Sequence, residues 1–212
     1  DISMHEGSYQ FSVVMPDAKI TGILLHMGGL HNVENALVSI AIAHQLGIDE
    51  EKIKAAVEAF RGVRRRFEYV IKNRGLIFVD DYAHHPQELN ALISGARALF
   101  PGKKCTVIFQ PHLFSRTHDL SKDFAASLDG ADEVILLPIY PARELPMAGV
   151  TSKLISDQMN LKEVSLVEKD DLLHFLERKK EAGQPLELVI TAGAGDIDTL
   201  VQPIKALLEK NG

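Results

Sequence analysis

The hydrophobic positions change their period once along the chain. In residues 1 to about 30 they mark short extended pieces. Tyr9-Gln10-Phe11-Ser12-Val13-Val14 alternates, Pro16-Asp17 reads as a turn, and Ile20 to Leu25 is a second apolar run. Two helices follow. The first begins after Gly28-Gly29, turns Val33, Leu37, Ile40 and His44 inward with Ala36, Ala41 and Ala43 between them, and stops at Gly47. The second covers 50–60, with Ile53, Ala56, Val57 and Phe60 on its inner face.

From residue 68 strands and helices alternate. Apolar runs at 76–79, 105–109, 133–137, 163–167 and 187–191 read as buried strands, and helical spacing is clearest at 86–100, 169–181 and 197–208. The pattern predicts an α/β fold: a mostly parallel sheet with right-handed crossovers and helices on both faces. The two opening strands have no earlier partner and no initiator methionine precedes them, so the chain is expected to begin inside a larger protein.

Composition narrows the class. Of the 212 residues, 46% are hydrophobic and 25% charged, as in an ordinary globular protein. A net charge of −6 argues against a nucleic-acid surface, so an anionic ligand needs a local basic cluster. The single cysteine, Cys105, lies inside an apolar run and is expected to be a buried, inert thiol in a reducing, cytoplasmic setting. No apolar stretch approaches the roughly 20 residues that span a bilayer, so no membrane partner is expected.

The unusual polar residues follow the strands. After 76–79 comes Asp80-Asp81-Tyr82-Ala83-His84-His85-Pro86, where proline suits the first position of a helix. After 105–109 comes Gln110-Pro111-His112, continuing through Leu113-Phe114-Ser115-Arg116. After 133–137 comes Pro138-Ile139-Tyr140-Pro141-Ala142-Arg143-Glu144, part of a stiff loop with three prolines up to Pro146. Thr191-Ala192-Gly193-Ala194-Gly195-Asp196 follows the last strand. In an open α/β sheet these segments share the edge where ligands bind.

Each feature has a plainer explanation beside the chemical one. Asp80 and Asp81 can simply cap a helix while the histidines lie in solvent. Asn32 and Asn35 share a face at a helix start and offer the donor and acceptor that suit a purine edge, yet Asn32 can cap and Asn35 can lie on the surface. Arg61, Arg64, Arg65 and Arg66 form the densest positive charge, fit for phosphate oxygens or for a solvated linker. Arg116 suits a carboxylate or phosphate. Gly193 and Gly195 suit either an anion at a helix start or a tight turn. A metal hydrolase built on His84-His85 is disfavoured, because adjacent histidines point apart. No complete Gly-x-x-x-x-Gly-Lys-Ser/Thr loop occurs, and no Gly-x-Gly-x-x-Gly follows the first strand.

Taken together, Gly29-Leu30-His31-Asn32-Val33-Glu34-Asn35-Ala36-Leu37, Phe60-Arg61-Gly62-Val63-Arg64-Arg65-Arg66-Phe67-Glu68 and Asp80-Asp81-Tyr82-Ala83-His84-His85-Pro86 resemble the Mur ligase family in order and spacing. Phe109-Gln110-Pro111-His112, Ser115-Arg116-Thr117, Ile139-Tyr140-Pro141-Ala142-Arg143-Glu144 and Gly193-Ala194-Gly195-Asp196-Ile197 extend the resemblance over nearly the whole chain. It implies that residues 1–63 are the remainder of a central ATP-binding domain and 64–212 a C-terminal Rossmann-like domain. The rest of the central domain, with the phosphate loop and the Mg2+ ligands, and an N-terminal domain would lie outside this chain, which should be inactive alone.

The implied reaction joins L-alanine to the lactyl carboxylate of UDP-N-acetylmuramate with ATP, through an acyl phosphate. Recycling of a murein tripeptide, or non-catalytic nucleotide binding, stays open as an alternative. By the resemblance Asn32 and Asn35 meet adenine, Arg66 the ATP phosphates and Asp81 the ribose hydroxyls. His84 and Arg116 hold the reacting carboxylate end and the incoming alanine, and His85, His112, Gly193 and Gly195 are further substrate contacts. Leu113 departs from the pattern, since arginine is expected there; Arg116 then carries more of the anion binding.

Overall fold

A computed structural model describes residues 1–5 and 7–210. The extended pieces at the start become β1 (Ile2–His5), β2 (Ser8–Val14) and β3 (Lys19–Leu25), a three-stranded antiparallel sheet in the order β1-β2-β3. Alternation in β2 buries Tyr9, Phe11 and Val13, as a half-buried strand requires. Two helices follow, α1 (Leu30–Gln45) and α2 (Glu50–Ala59).

The inner face of α1 differs from the expected one. Leu37 is 45% exposed, whereas Asn32, Val33 and Ile40 are buried and Ala36 and Ala43 are partly so. The reason lies in composition: Leu30, Val38 and Ile42 are exposed as well, so apolar residues surround this helix and do not mark one side. On α2, Ile53 is buried while Phe60, just past its end, is exposed. Ala56, Val57 and Phe60 line a cavity, and Val57 also packs against the core.

The second sheet has six strands. Its elements in chain order are β4 (Glu68–Lys72), β5 (Ile77–Asp81), α3 (Pro86–Leu99), β6 (Cys105–Phe109), α4 (Phe114–Asp119), α5 (Ser121–Leu128), β7 (Glu133–Leu136), α6 (Lys153–Ser156), β8 (Val164–Leu166), α7 (Leu172–Glu181), β9 (Leu188–Ala192) and α8 (Asp198–Glu209). The spatial order is β4-β5-β9-β6-β7-β8, parallel throughout except for the antiparallel edge strand β4. The fold is the expected α/β sheet with helices on both faces. The sequence pattern had no strand at β4 and no helices at α4, α5 and α6: β4 is only partly buried and bounded by Glu68 and Lys72, so no apolar run marks it, and the three helices span too few turns for a period to be read.

Pleating sends alternate residues of each strand to opposite cores. Ile77, Val79, Val107 and Ile190 pack under α3 and α5 with Leu89, Leu92, Ile93 and Phe124. Phe78, Ile108 and Val189 pack on the other side with Leu172, Leu176, Ile204 and Leu208. The first of these cores also includes Tyr9, Phe11, Ile23 and Leu25, so apolar packing is continuous from one sheet to the other. Cys105 is fully buried there, and burial pushes its thiol up to about 12, which keeps it protonated and unreactive.

Candidate active site

The last strand lies in the middle of the sheet. Because β9 pairs with both β5 and β6, Asp81 and Phe109 both align with Ala192, and three segments far apart in sequence meet at one edge. The loop after β7 joins them through bonds from the Tyr140 N–H to the Pro111 carbonyl (2.8 Å) and from the Leu113 N–H to the Tyr140 carbonyl (2.9 Å). The edge anticipated from sequence therefore exists.

Neither aspartate caps α3. Asp80 is buried, accepts from the Thr191 hydroxyl (2.7 Å) and pairs with Arg65 Nε at 3.2 Å. Burial pushes its carboxyl above the usual range, while Thr191 and Arg65 act in the opposite direction. Asp81 accepts from the backbone N–H groups of Phe67 and Ala83, both at 2.7 Å. Burial raises its carboxyl too, against those two bonds. Glu88 instead serves the start of α3, accepting from the N–H groups of His84 (2.9 Å) and His85 (3.0 Å).

An aromatic row crosses the edge. Tyr82 and His84 meet edge to face at 5.3 Å, His84 and His112 at 6.0 Å, and His112 stacks on Tyr140 at 5.7 Å. His84 Nδ1 is 2.9 Å from the Tyr82 carbonyl, which can only accept, so this nitrogen donates. Among the described residues His112 Nδ1 is buried with no hydrogen-bond partner. Burial lowers the His112 pKa, and the charge of Arg116 and the nearby His84 lower it further, so this imidazole is neutral at pH 7. Arg116 Nη1 is 3.5 Å from the His84 carbonyl, at the outer limit of a hydrogen bond, and its other donors have no partner among the described residues. His85 lies apart, in a different cavity with Asn90, Asp123 and Ser127.

The glycines are set by close approach. A Cβ on Gly195 would lie 2.4 Å from Gln110 Oε1 and 2.6 Å from Tyr140 Cβ; one on Gly193, at φ +146, would lie 2.7 Å from the Gln110 carbonyl. Gln110 itself is buried, donating to Asp196 (2.7 Å) and accepting from the Ile197 N–H (2.9 Å). The turn reading of Gly193 and Gly195 thus has a direct structural basis.

Two cavities flank the arginine run. One, of about 450 Å³, is lined by Asn32, Asn35, Ile40, Ile53, Phe60 and Arg66. The other, of about 400 Å³, is lined by His31, Arg66, Asp81, Tyr82, His84 and Glu88. Arg66 borders both. Asn32 is buried and donates its amide to the Gly28 carbonyl at 2.7 Å, whereas Gly29 occupies the cap position of α1. Asn35 is exposed. Among the described residues no group of three or more His, Cys, Asp or Glu is placed to hold a metal ion.

Sequence reasoning missed several residues here. His31 borders the second cavity; its place beside Asn32 was the available signal. Arg65, Gln110 and Tyr140 act through contacts with distant segments, which no local pattern reports. Glu144 accepts from the Ser115 N–H (2.9 Å) and hydroxyl (2.5 Å), bonds that hold its carboxyl below the usual range. It ties the loop after β7 to the start of α4, where Leu113 offers no capping side chain.

The family model described as "Mur ligase, glutamate ligase domain" matches residues 65–195. The chain belongs to the Mur ligase family. Curated relatives named UDP-N-acetylmuramate–L-alanine ligase include those of Cytophaga hutchinsonii (46% identical, covering 99% of this chain and 44% of the relative) and Porphyromonas gingivalis (44% identical, 99% and 45%). Among solved structures, the UDP-N-acetylmuramate–alanine ligase of Thermotoga maritima superposes with a TM-score of 0.80 at 30% identity, covering 100% of this chain and 45% of that one. The chain thus spans less than half the length of these Mur ligases. Among the described residues no helix is long and apolar enough to cross a membrane.

Proposed function

We propose that the chain is part of an ATP-dependent ligase that joins L-alanine to the lactyl carboxylate of UDP-N-acetylmuramate, a step in making peptidoglycan precursors. The observation that carries this reading is that Arg66 borders both cavities, which we read as one path. An amide pair, Asn32 and Asn35, lines one cavity, and Asp81, Tyr82 and His84 line the other. A nucleotide fits that order of groups: amides for the base edge, a guanidinium for phosphate oxygens, and a carboxylate with unused lone pairs for ribose hydroxyls.

The reaction read onto this edge has two steps. The carboxylate of the sugar nucleotide takes the γ-phosphoryl group of ATP and becomes an acyl phosphate. The amine of alanine then attacks the carbonyl carbon, and phosphate leaves as the amide forms. Negative charge on the transferring group favours a site of fixed positive charge, which Arg66 and Arg116 provide. When bound, Mg2+ would add positive charge beside Arg66, its ligands being mostly outside these residues by the resemblance. In this reading His84 and Arg116 hold the reacting carboxylate end and the incoming alanine. Closure near Arg64 shields the acyl phosphate from water.

The test is phosphate release by the complete open reading frame with UDP-N-acetylmuramate, ATP, Mg2+ and a panel of amino acids and peptides. Release that depends on L-alanine is the expected result, with none from residues 1–212 alone. Release only with a tripeptide would assign peptide recycling, and no release with any acceptor would leave a nucleotide-binding module.

A further inference from the structure

The arginine run divides by exposure. Arg61, Arg64 and Arg66 are exposed, whereas the side chain of Arg65 is 13% exposed and turned into the fold. Its Nε donates to the buried Asp80 at 3.2 Å, and its Nη2 donates to the Gly193 carbonyl at 2.5 Å. The guanidinium also lies 5.1 Å from the centre of the Tyr82 ring. One planar group thus joins the linker before β4 to the ends of β5 and β9. The backbone is fixed as well: the Arg65 N–H donates to the Glu68 carboxylate (2.8 Å), and its carbonyl accepts from the Tyr82 N–H (2.8 Å).

The residues on both sides of Arg66 are held in an unusual conformation. Arg65 has φ +59 and Phe67 φ +49, in the left-handed region that residues with side chains avoid unless their surroundings hold them there. Phe67 is held by Asp81, which accepts its N–H, and by Gly28, whose missing Cβ leaves room for the ring. Arg65 is held by Asp80 and Gly193. Arg66 lies between these two fixed points, facing both cavities.

We infer that Arg65 is a positioning residue: it does not touch the nucleotide but fixes the backbone that aims Arg66 into the path. The inference rests on the nucleotide reading of that path. It separates two neighbouring arginines of like charge into a ligand and a support, a division the sequence run does not show. Lysine cannot replace this support. It keeps a charge opposite Asp80, but it has no planar fork to reach the Gly193 carbonyl and lie over Tyr82 at once.

The experiment is a cycle on the complete protein, reading ADP affinity by calorimetry in the native sequence, Arg65→Lys, Arg66→Ala and the double variant. Lysine is used because Arg65→Ala would strand Asp80 and could prevent folding. Arg65→Lys should weaken ADP binding about tenfold, the size expected for one displaced charged contact. In the Arg66→Ala background the same change should cost no more than about twofold, because the two act through one contact. Asp80→Asn, which frees Arg65 without altering it, should reproduce the loss. Equal losses in both backgrounds would make Arg65 an independent ligand and overturn the inference, as would no loss in the native background. A native protein that binds no ADP would overturn the nucleotide reading itself, before any variant is compared.

Discussion

The backbone N–H of Phe67 donates to the carboxylate of Asp81 at 2.7 Å, so the strand that ends in Asp81 also fixes the linker leading into β4. The Phe67 ring completes the attachment by lying against Gly28, just before α1. Three segments that border the candidate nucleotide path are therefore joined through one aromatic residue, which is 2% exposed.

That contact leaves no space for a methyl group. A Cβ on Gly28 would lie 2.0 Å from the Phe67 ring, and the buried ring cannot move aside. Gly28→Ala should lower stability by about 1–3 kcal/mol, the usual cost of overpacking. Urea denaturation followed by circular dichroism measures it. An unchanged midpoint would mean that the linker shifts freely.

Gly195 is limited in the same way by Gln110 and Tyr140. Gly195→Ala should displace Gln110 from Asp196 and the Ile197 N–H, costing about 1–3 kcal/mol for a buried amide left unpaired. In the complete ligase, activity should fall as well, since the stack of Tyr140 on His112 borders the same loop. Thermal unfolding and phosphate release, measured on the same sample, report the two effects separately.

Among the described residues Arg116 keeps free donors beside His84. Under the proposed reaction, Arg116→Ala in the complete protein should raise the Michaelis constant for alanine or for the sugar nucleotide by roughly tenfold or more, as expected for a lost charged hydrogen bond. Glu144→Ala should move the same constant by a smaller factor, because Glu144 holds Ser115 next to Arg116. Steady-state kinetics with each substrate varied in turn decides this; unchanged constants for both would remove Arg116 from the site.

His112 makes the fold sensitive to mild acid. Its folded pKa lies below the ordinary 6.5, first because it is buried and then because Arg116 and His84 are near. As the pH falls the unfolded chain takes up this proton first, so the folded state loses ground. The contribution is fully present above 6.5 and is lost as the pH falls from 6.5 to the lowered value. Urea midpoints across that window should decline in the native protein and decline less in His112→Gln. Imidazole titration by NMR should find one resonance with a depressed midpoint, and its absence would exclude this source of pH dependence.

Local pattern carried much of this molecule. The runs at 105–109 and 133–137 became β6 and β7 because continuous apolar stretches can only be buried on both faces, and Leu89, Leu92, Ile93 and Ala96 became the inner side of α3 because their spacing fits one helical face. The motif residues placed the edge at the ends of the strands and pointed to the Mur ligase family. Where apolar residues surround a helix, as on α1, pattern misplaced Leu37.

The sequence alone determined most of the strands and the longer helices, and which residues could bind anions. Tertiary structure decided which of them meet. Strand order is not a local property, since β9 enters between β5 and β6 only when both neighbours offer open hydrogen-bonding edges. That insertion brings Asp80 to Thr191 and Arg65 to Gly193 and turns Gln110 toward Asp196, while His85 goes to another cavity. Adjacent residues can face apart and distant ones can join, because side-chain direction follows the backbone at each position and proximity follows the packing of the whole sheet.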